Sequence, residues 1–237
     1  MKIAVVIPAL EESEQIAGAI ETAQAAGISG GDRGPTRAGR VEIEVVVVDG
    51  CSLDATASLA RRAGARVLFA EGGRARQLEA GWRAVDADVV LFLHADTRLS
   101  GDWVLSVVDA MQNASVAGGA FRLRFDAPGR GLRLLEWFVR IRVALLALPY
   151  GDQAIFVRRS VLEAIGGLQQ VPLMEDLDLV QAMKRHGRVL AIPLPATTSA
   201  RRYLDHGIGR TVFRHVVALV AWRVGWNRAR VAAWYNQ

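Results

Sequence analysis

The sequence predicts an α/β chain: a mostly parallel sheet with helices on both faces, ending in a helical tail. Two observations carry this. Four short apolar runs alternate with helix-period segments over the first 96 residues, β-α-β-α-β-α-β, and such alternation calls for a parallel sheet wrapped by crossover helices. The last 28 residues, from Arg210 to Gln237, read as basic, tryptophan-bearing helix.

The elements follow in order. "KIAVVIPAL" reads as a buried strand ending at Pro8. "ESEQIAGAIETAQAAG" has Ile16, Ile20 and Ala23 at helical spacing, with Gly27 as a stop. "ISGGDRGPTRAGR" has no periodicity and reads as a surface loop. "VEIEVVVVDG" is the second strand, and "SLDATASLARRAG" a helix with Ser52 as N-cap and Gly64 as stop. "ARVLFAEG" is the third strand, "RARQLEAGWRAVDA" a helix and "DVVLFLHAD" the fourth strand. Beyond Asp96, "SGDWVLSVVDAMQ" is a helix and "AGGAFRLRFD" an alternating strand with one solvated face. An Arg-studded amphipathic segment runs from Gly131 to Leu148. "GDQAIFVRRSVLEAIGG" holds a strand and a short helix, "EDLDLVQAMKRHG" a helix, and "RVLAIPLPATTSARRY" a strand and an extended segment. The expected organisation is one domain over 1–209, in two halves (1–97 and 98–209), plus the tail 210–237.

Composition narrows the function. The chain has 237 residues, 51% hydrophobic and 22% charged, which is globular and large enough to fold without metal or disulfide. Cys51 is the only cysteine, so an internal disulfide is excluded and a reducing, cytoplasmic compartment fits. The apolar start is too short for a signal peptide, and no run reaches the roughly 18 residues of a membrane span. A net charge of +5 favours anionic partners, whether nucleotides, phosphorylated lipids, membrane surfaces or nucleic acid, and charge alone does not choose among them.

Three predicted strands end on acids: Glu11 and Glu12 after the first, Asp49 after the second, Asp96 after the fourth. In a parallel sheet these ends share one edge, where ligands bind. Loop solvation and helix capping explain any one acid. A row of three at one edge points to a metal ion, base or sugar hydroxyls, or arginines. In "LFLHADTRL", His94 and Asp96 fall on the same side if the strand continues, and together they suit a divalent cation bridging diphosphate oxygens. A core histidine beside a capping aspartate is the alternative. "EGGRARQ" sets Arg74 and Arg76 before a helix, which suits phosphate or a solvated turn. "MEDLDL" places Glu175, Asp176 and Asp178 in a helix's first turn, where the dipole keeps an acid ionised and fit to serve as a base. "YGDQAIF" adds Asp152.

Together these segments resemble glycosyltransferase family 2, inverting enzymes with the Rossmann-like GT-A fold, over nearly the whole chain. "VVIPALEE" resembles the family's Ile-Pro-x-x-Asn-Glu opening, and "VVDGCSLDAT" its Val-Asp-Asp-Gly-Ser-x-Asp-x-Thr. "LFLHAD" sits where Asp-x-Asp ends its strand, and "GGLQQVPLMEDLDL" resembles the Gly-Gly-Phe and Glu-Asp acceptor motif. "HAD", "YGDQAIF" and the Tyr235 ending are similar to a bacterial subgroup of small members, the selenodomain-associated transferases.

The resemblance implies sugar transfer from a nucleotide diphosphate sugar to an acceptor hydroxyl, with a lipid-linked acceptor suiting the basic tail. Pro8, Leu10, Glu12, Asp49, Ser52, Asp54, Arg74, Arg76, Gln77, His94, Ala95, Asp96 and Asp152 would meet the donor. Asp176, with Glu175 beside it, would be the base. Asp96 and His94 would meet Mg²⁺ or Mn²⁺. The chain departs from the family at Glu11, at Gly50 and Cys51, at Glu79, and at His94, which replaces the first acid of Asp-x-Asp. The partners implied are the donor, a hydroxyl acceptor, an anionic membrane surface and a second copy as homodimer; nucleic acid is not expected. Two other readings compete. A sugar-nucleotide nucleotidyltransferase would carry a Gly-rich loop where "PALEE" stands. A non-catalytic module binding anionic surfaces leaves the acid row unused. Cys51 as a nucleophile lacks a histidine nearby in sequence.

Overall fold

The computed structural model describes residues 1–25 and 41–235. The expected Gly27 stop, the loop at 28–40 and the last two residues lie outside them. The first half runs β1 (Lys2–Ala9), α1 (Ile16–Gln24), β2 (Glu42–Asp49), α2 (Thr56–Arg62), β3 (Arg66–Phe69), α3 (Arg74–Arg83) and β4 (Val89–Phe92). Then come β5 (Thr97–Leu99), α4 (Trp103–Gln112), β6 (Val116–Phe125), α5 (Arg130–Leu146), a 3₁₀ turn (Gly151–Gln153), β7 (Ile155–Arg158) and α6 (Arg159–Ala164). The chain continues with α7 (Glu175–His186), β8 (Arg188–Thr198), α8 (Arg201–His206), α9 (Ile208–Arg223) and α10 (Arg228–Tyr235).

The strands form one eight-stranded sheet in the order β3-β2-β1-β4-β7-β6-β8-β5. β7 runs antiparallel to β4 and β6, and β5 antiparallel to β8; the other pairings are parallel. The parallel strands therefore all point their carboxyl ends at one edge.

Helices cover both faces because the central strands are apolar on both. Ile3, Val5 and Ile7 of β1 face a core with α1 and α4, including Ile16, Ile20 and Trp103. The intervening Ala4 and Val6 face α3, α6 and α7, including Trp82, Leu162 and Met183. This is the period-two alternation of a doubly covered strand. α3 lies so close to β1 that a Cβ on Gly81 would sit 2.3 Å from Val6 Cγ1. A third cluster, around Leu123, Phe125, Leu132 and Tyr203, lies beneath α5 and α8.

Four local expectations are corrected. α2 starts at Thr56, not after Ser52; Ser52 is turned back onto Asp49 instead of capping a helix. β4 stops at Phe92, and His94 carbonyl accepts the Thr97 N–H in a turn, so His94 and Asp96 do not alternate along a strand. The end of the segment expected to be extended, from Arg201, winds into α8. The tail is two helices, broken near Gly225, whose φ of 74° an L side chain rarely adopts.

The tail is docked. Trp222 of α9 donates its indole N–H to Asp178 Oδ1 at 2.9 Å, and Arg228 of α10 grips both oxygens of Asp178. The inward positions Thr211, Ala218 and Ala221 are buried. The outward positions Phe213, Val216, Val220 and Val224 recur at helical spacing and are at least half exposed.

Candidate active site

Beyond β1 and β2, two loops are stitched together by short polar side chains. Asp49 is fully buried, and its two oxygens accept the Ser52 hydroxyl at 2.6 Å and the Ser52 N–H at 2.9 Å. Ser52 Oγ in turn accepts the Glu11 N–H at 3.0 Å, and Glu11 Oε1 the Leu53 N–H at 2.7 Å. Asp54 accepts the Thr56 and Ser13 N–H groups as well as the Thr56 hydroxyl. The Thr56 bonds above all draw its carboxyl down to about 2. Glu11 and Cys51 are held at positive φ here, 54° and 68°. Non-glycine residues persist in that region only where surrounding bonds over-determine them, as these do. Behind the loops, the buried Gln77 amide donates to Ala9 and Val48 carbonyls at 2.8 and 2.9 Å, strapping the two strand ends.

In front of the loops lies a cavity of about 540 Å³. The structure brings seven of the expected residues to its wall: Leu10, Arg74, His94, Asp96, Asp152, Glu175 and Asp176. Pro8, Glu12, Asp49, Ser52, Asp54, Arg76, Gln77 and Ala95 are not part of its lining. Pro8 and Ala95 are buried, and Arg76 packs its side chain over Gly72.

Arg74 organises the cavity. Its Nε donates to the buried Glu175 carboxylate, and its Nη1 lies 3.1 Å from His94 Nε2. A guanidinium only donates, so His94 Nε2 accepts and the ring is neutral with its proton on Nδ1. Burial, reinforced by Arg74, pushes the His94 pKa well below its ordinary value. The nitrogen that would ligate a cation is thus already engaged. Asp96 keeps only long contacts to the Thr97 and Thr198 hydroxyls, 3.4 and 3.3 Å.

α7 begins on Met174, at φ 64°. That turn presents Glu175 and Asp176 side by side. Asp176 Oδ2 accepts the Gly151 N–H at 2.6 Å, and Oδ1 the Leu177 N–H at 2.9 Å. Burial, and then the neighbouring Glu175, raises its pKa. Asp152 sits in the adjacent 3₁₀ turn, not at the head of a strand. Its Oδ1 is sealed from solvent without a hydrogen-bond partner, and burial lifts its carboxyl to about 6. Glu12 Oε2 is likewise sealed without a hydrogen-bond partner, with Arg201 Nη2 at 3.7 Å, and burial followed by Asp96 raises that acid too.

The far wall is formed by Tyr150 and Tyr235, which lie in quoted motifs, together with Arg202, Tyr203 and His215, which no motif indicated. Tyr203 hydroxyl lies 3.3 Å from His215 Nδ1, and the His215 ring stacks on Tyr235, 5.8 Å between centroids. A helical reading of the tail with Thr211, His215, Ala218 and Trp222 on one stripe would have turned His215 inward. Tyr235 and Arg202 carry no such signal. Glu79, a departure from the family pattern, is structural: it accepts from Trp82 Nε1 at 2.6 Å and from the Leu168 N–H at 2.8 Å, anchoring the Gly166–Gly167 turn beside α3.

Among the described residues no group of three His, Cys, Asp or Glu side chains could hold a metal ion. A cation that takes most of its ligands from phosphates needs only one or two carboxylates, and Asp96 fits that lesser role.

A sheet of this order, with its cavity beyond the strand ends, is similar to the GT-A glycosyltransferases. The mannosyltransferase PcManGT from Pyrobaculum calidifontis, in complex with GDP-Man and Mn²⁺, superposes with a TM-score of 0.67 at 20% identity, over 93% of this chain and 64% of that one. The chain thus spans under two thirds of that enzyme's length. Glucosyl-3-phosphoglycerate synthase from Mycobacterium tuberculosis, with Mn²⁺, UDP and glucosyl-3-phosphoglycerate, gives 0.64 at 19% identity, over 95% and 81%. S. aureus TarS 1–349 gives 0.62 at 16% identity, over 98% and 68%. No curated protein matches the sequence. The pattern of glycosyl transferase family 2 matches residues 4–166, and the chain belongs to that family.

Proposed function

We propose that the protein is an inverting transferase that moves a sugar from a nucleotide diphosphate sugar to an acceptor hydroxyl. The observation that carries this is the meeting of Asp176, Asp152, Asp96 and Arg74 on one cavity at the carboxyl edge of the sheet. The acceptor oxygen attacks the anomeric carbon, the bond to the diphosphate oxygen breaks, and the electron pair leaves with the phosphate. The acceptor proton goes to Asp176, whose orientation is set by the Gly151 and Leu177 N–H groups. Residues 1–97 would carry the donor and 98–209 the acceptor.

A divalent cation, when bound, would offset charge on the leaving diphosphate. Asp96 is the carboxylate placed to hold it. His94, gripped by Arg74, serves as a neutral wall group.

The outward face of α9 supports a lipid-side reading of the acceptor. Phe213, Val216, Val220 and Val224 present apolar surface, Trp226 extends it, and Arg210, Arg214, Arg223 and Arg230 lie on the same tail with no acid after Asp205, while Arg228 is committed to Asp178. Apolar residues with flanking arginines suit an anionic membrane surface, where a lipid-linked acceptor would present its hydroxyl. Among the described residues no helix is long and apolar enough to cross a membrane.

The transferase reading is tested by thermal shift with UDP-, GDP- and dTDP-sugars, each with and without Mg²⁺ or Mn²⁺. A ligand of the folded state raises Tm in proportion to ln(1 + [L]/Kd). One nucleotide sugar should stabilise the protein and be turned over; no shift with any of them overturns the reading.

A further inference from the structure

Among the described residues two cations line the cavity, Arg74 and Arg202. They are in opposite states. Arg74 is committed to Glu175 and His94. Arg202 forms no ion pair among the described residues, although its neighbour Arg201 does, turning to Glu12 and Glu14 at 3.7 and 4.0 Å.

Arg202 is nevertheless central. Its charge is felt by His94 at the end of β4 and by Tyr203, His215 and Tyr235 on the far wall. It shares the cavity wall with the Tyr235 side chain. Of the flanking groups, His94 and His215 are neutral and the tyrosines keep their protons, burial raising both; the carboxylate that also feels Arg202, Glu12, has Arg201 as its ion-pair partner. An unpaired guanidinium inside a cavity, beside a hydroxyl able to turn and donate, is an anion receptor. Its planar fork suits phosphate oxygens in particular.

We propose that Arg202 and the Tyr235 hydroxyl form a phosphate-binding subsite, so that the last helix of the tail completes the active site. Its place in the reaction rests on the transferase reading above. Two phosphates could occupy it: the diphosphate of the donor, where Arg202 would offset charge on the leaving group, or a phosphate on the acceptor.

The full-length chain and its Arg202→Gln, Arg202→Lys and Tyr235→Phe variants decide this. Arg202 is exposed, so its replacement removes no core packing, and an unchanged Tm without ligand checks the fold. UDP and GDP are titrated alone by calorimetry; inorganic phosphate is then tested by thermal shift with and without saturating nucleotide. If the donor diphosphate is the occupant, Arg202→Gln weakens UDP or GDP binding about tenfold or more, and Arg202→Lys less, since it keeps the charge without the fork. If an acceptor phosphate is the occupant, nucleotide binding is unchanged but the phosphate shift is lost in Arg202→Gln and reduced in Tyr235→Phe. Unchanged nucleotide binding together with an unchanged or absent phosphate shift overturns the proposal. Should neither UDP nor GDP bind the wild type, the transferase reading is what has failed, and phosphate alone still decides the subsite.

Discussion

Gly151 donates its backbone N–H to Asp176 Oδ2 at 2.6 Å, tying the Gly151–Gln153 turn to the first turn of α7. That bond, with the one from Leu177, aims the carboxylate without neutralising it. Each carboxylate oxygen has a second lone pair, so proton acceptance is still open. Asp176→Asn keeps the shape and removes the basicity. Turnover should fall by about 10²–10⁴-fold, the usual worth of a positioned base, while donor binding stays within about twofold. Wild-type turnover in this variant would move the role to Glu175 or Asp152.

Asp152 makes the fold sensitive to pH, and the sign is unusual for an acid. Its ordinary value is 3.8, and burial lifts it to about 6 in the folded state. The folded chain therefore holds this proton more tightly than the unfolded chain. Its contribution is most favourable below the unfolded value and is lost as pH rises from about 4 to about 6. Asp54, drawn down to about 2, works oppositely and loses its contribution only as pH falls toward that value. Asp152→Asn should flatten the Tm profile between pH 4 and 6 and raise Tm at pH 7 to 8. A profile unchanged from wild type would show that the carboxyl is solvated.

On the proposed reading, Asp96 would be the carboxylate that holds a cation, because Arg74 occupies His94 Nε2. Asp96→Ala should abolish any Mg²⁺ or Mn²⁺ enhancement of nucleotide binding, whereas His94→Gln, whose side-chain oxygen can still accept from Arg74, should leave most of it. Equal losses in the two variants would show that His94 leaves Arg74 for the ion.

The tail has one face docked and one free, and the two separate by mutation. Asp178→Ala strands Trp222 and Arg228 and should lower stability by about 1–3 kcal/mol, the cost of unpaired buried polar groups. Phe213→Glu with Val220→Glu should leave Tm nearly unchanged but abolish binding to anionic vesicles, which in the wild type should weaken above ~0.1 M salt. If the wild type ignores anionic vesicles at low salt, the membrane role fails; self-association lost in the same variant would assign the face to a second copy of this chain.

The β-α alternation, the acid at the end of β2 and the Glu-Asp pair that opens α7 were all legible from the residues. Apolar period and turn residues encode which segments pair and where they stop, and family resemblance supplied the chemistry. The tertiary structure alone decided which polar groups are free to act. Asp49 and Asp96 look alike in sequence as strand-end acids, yet Ser52 consumes both oxygens of the first while the second keeps only long contacts to threonine hydroxyls. His94 beside Asp96 looked like a ligand pair until Arg74, twenty positions earlier, took its nitrogen. In the far wall, Arg202, Tyr203 and His215 come from segments with no local motif, and His215 and Tyr235 are carried by the two tail helices that Asp178 ties down through Trp222 and Arg228. Hydrogen-bond partners across such separations are set by packing, and local sequence periodicity has no term for them.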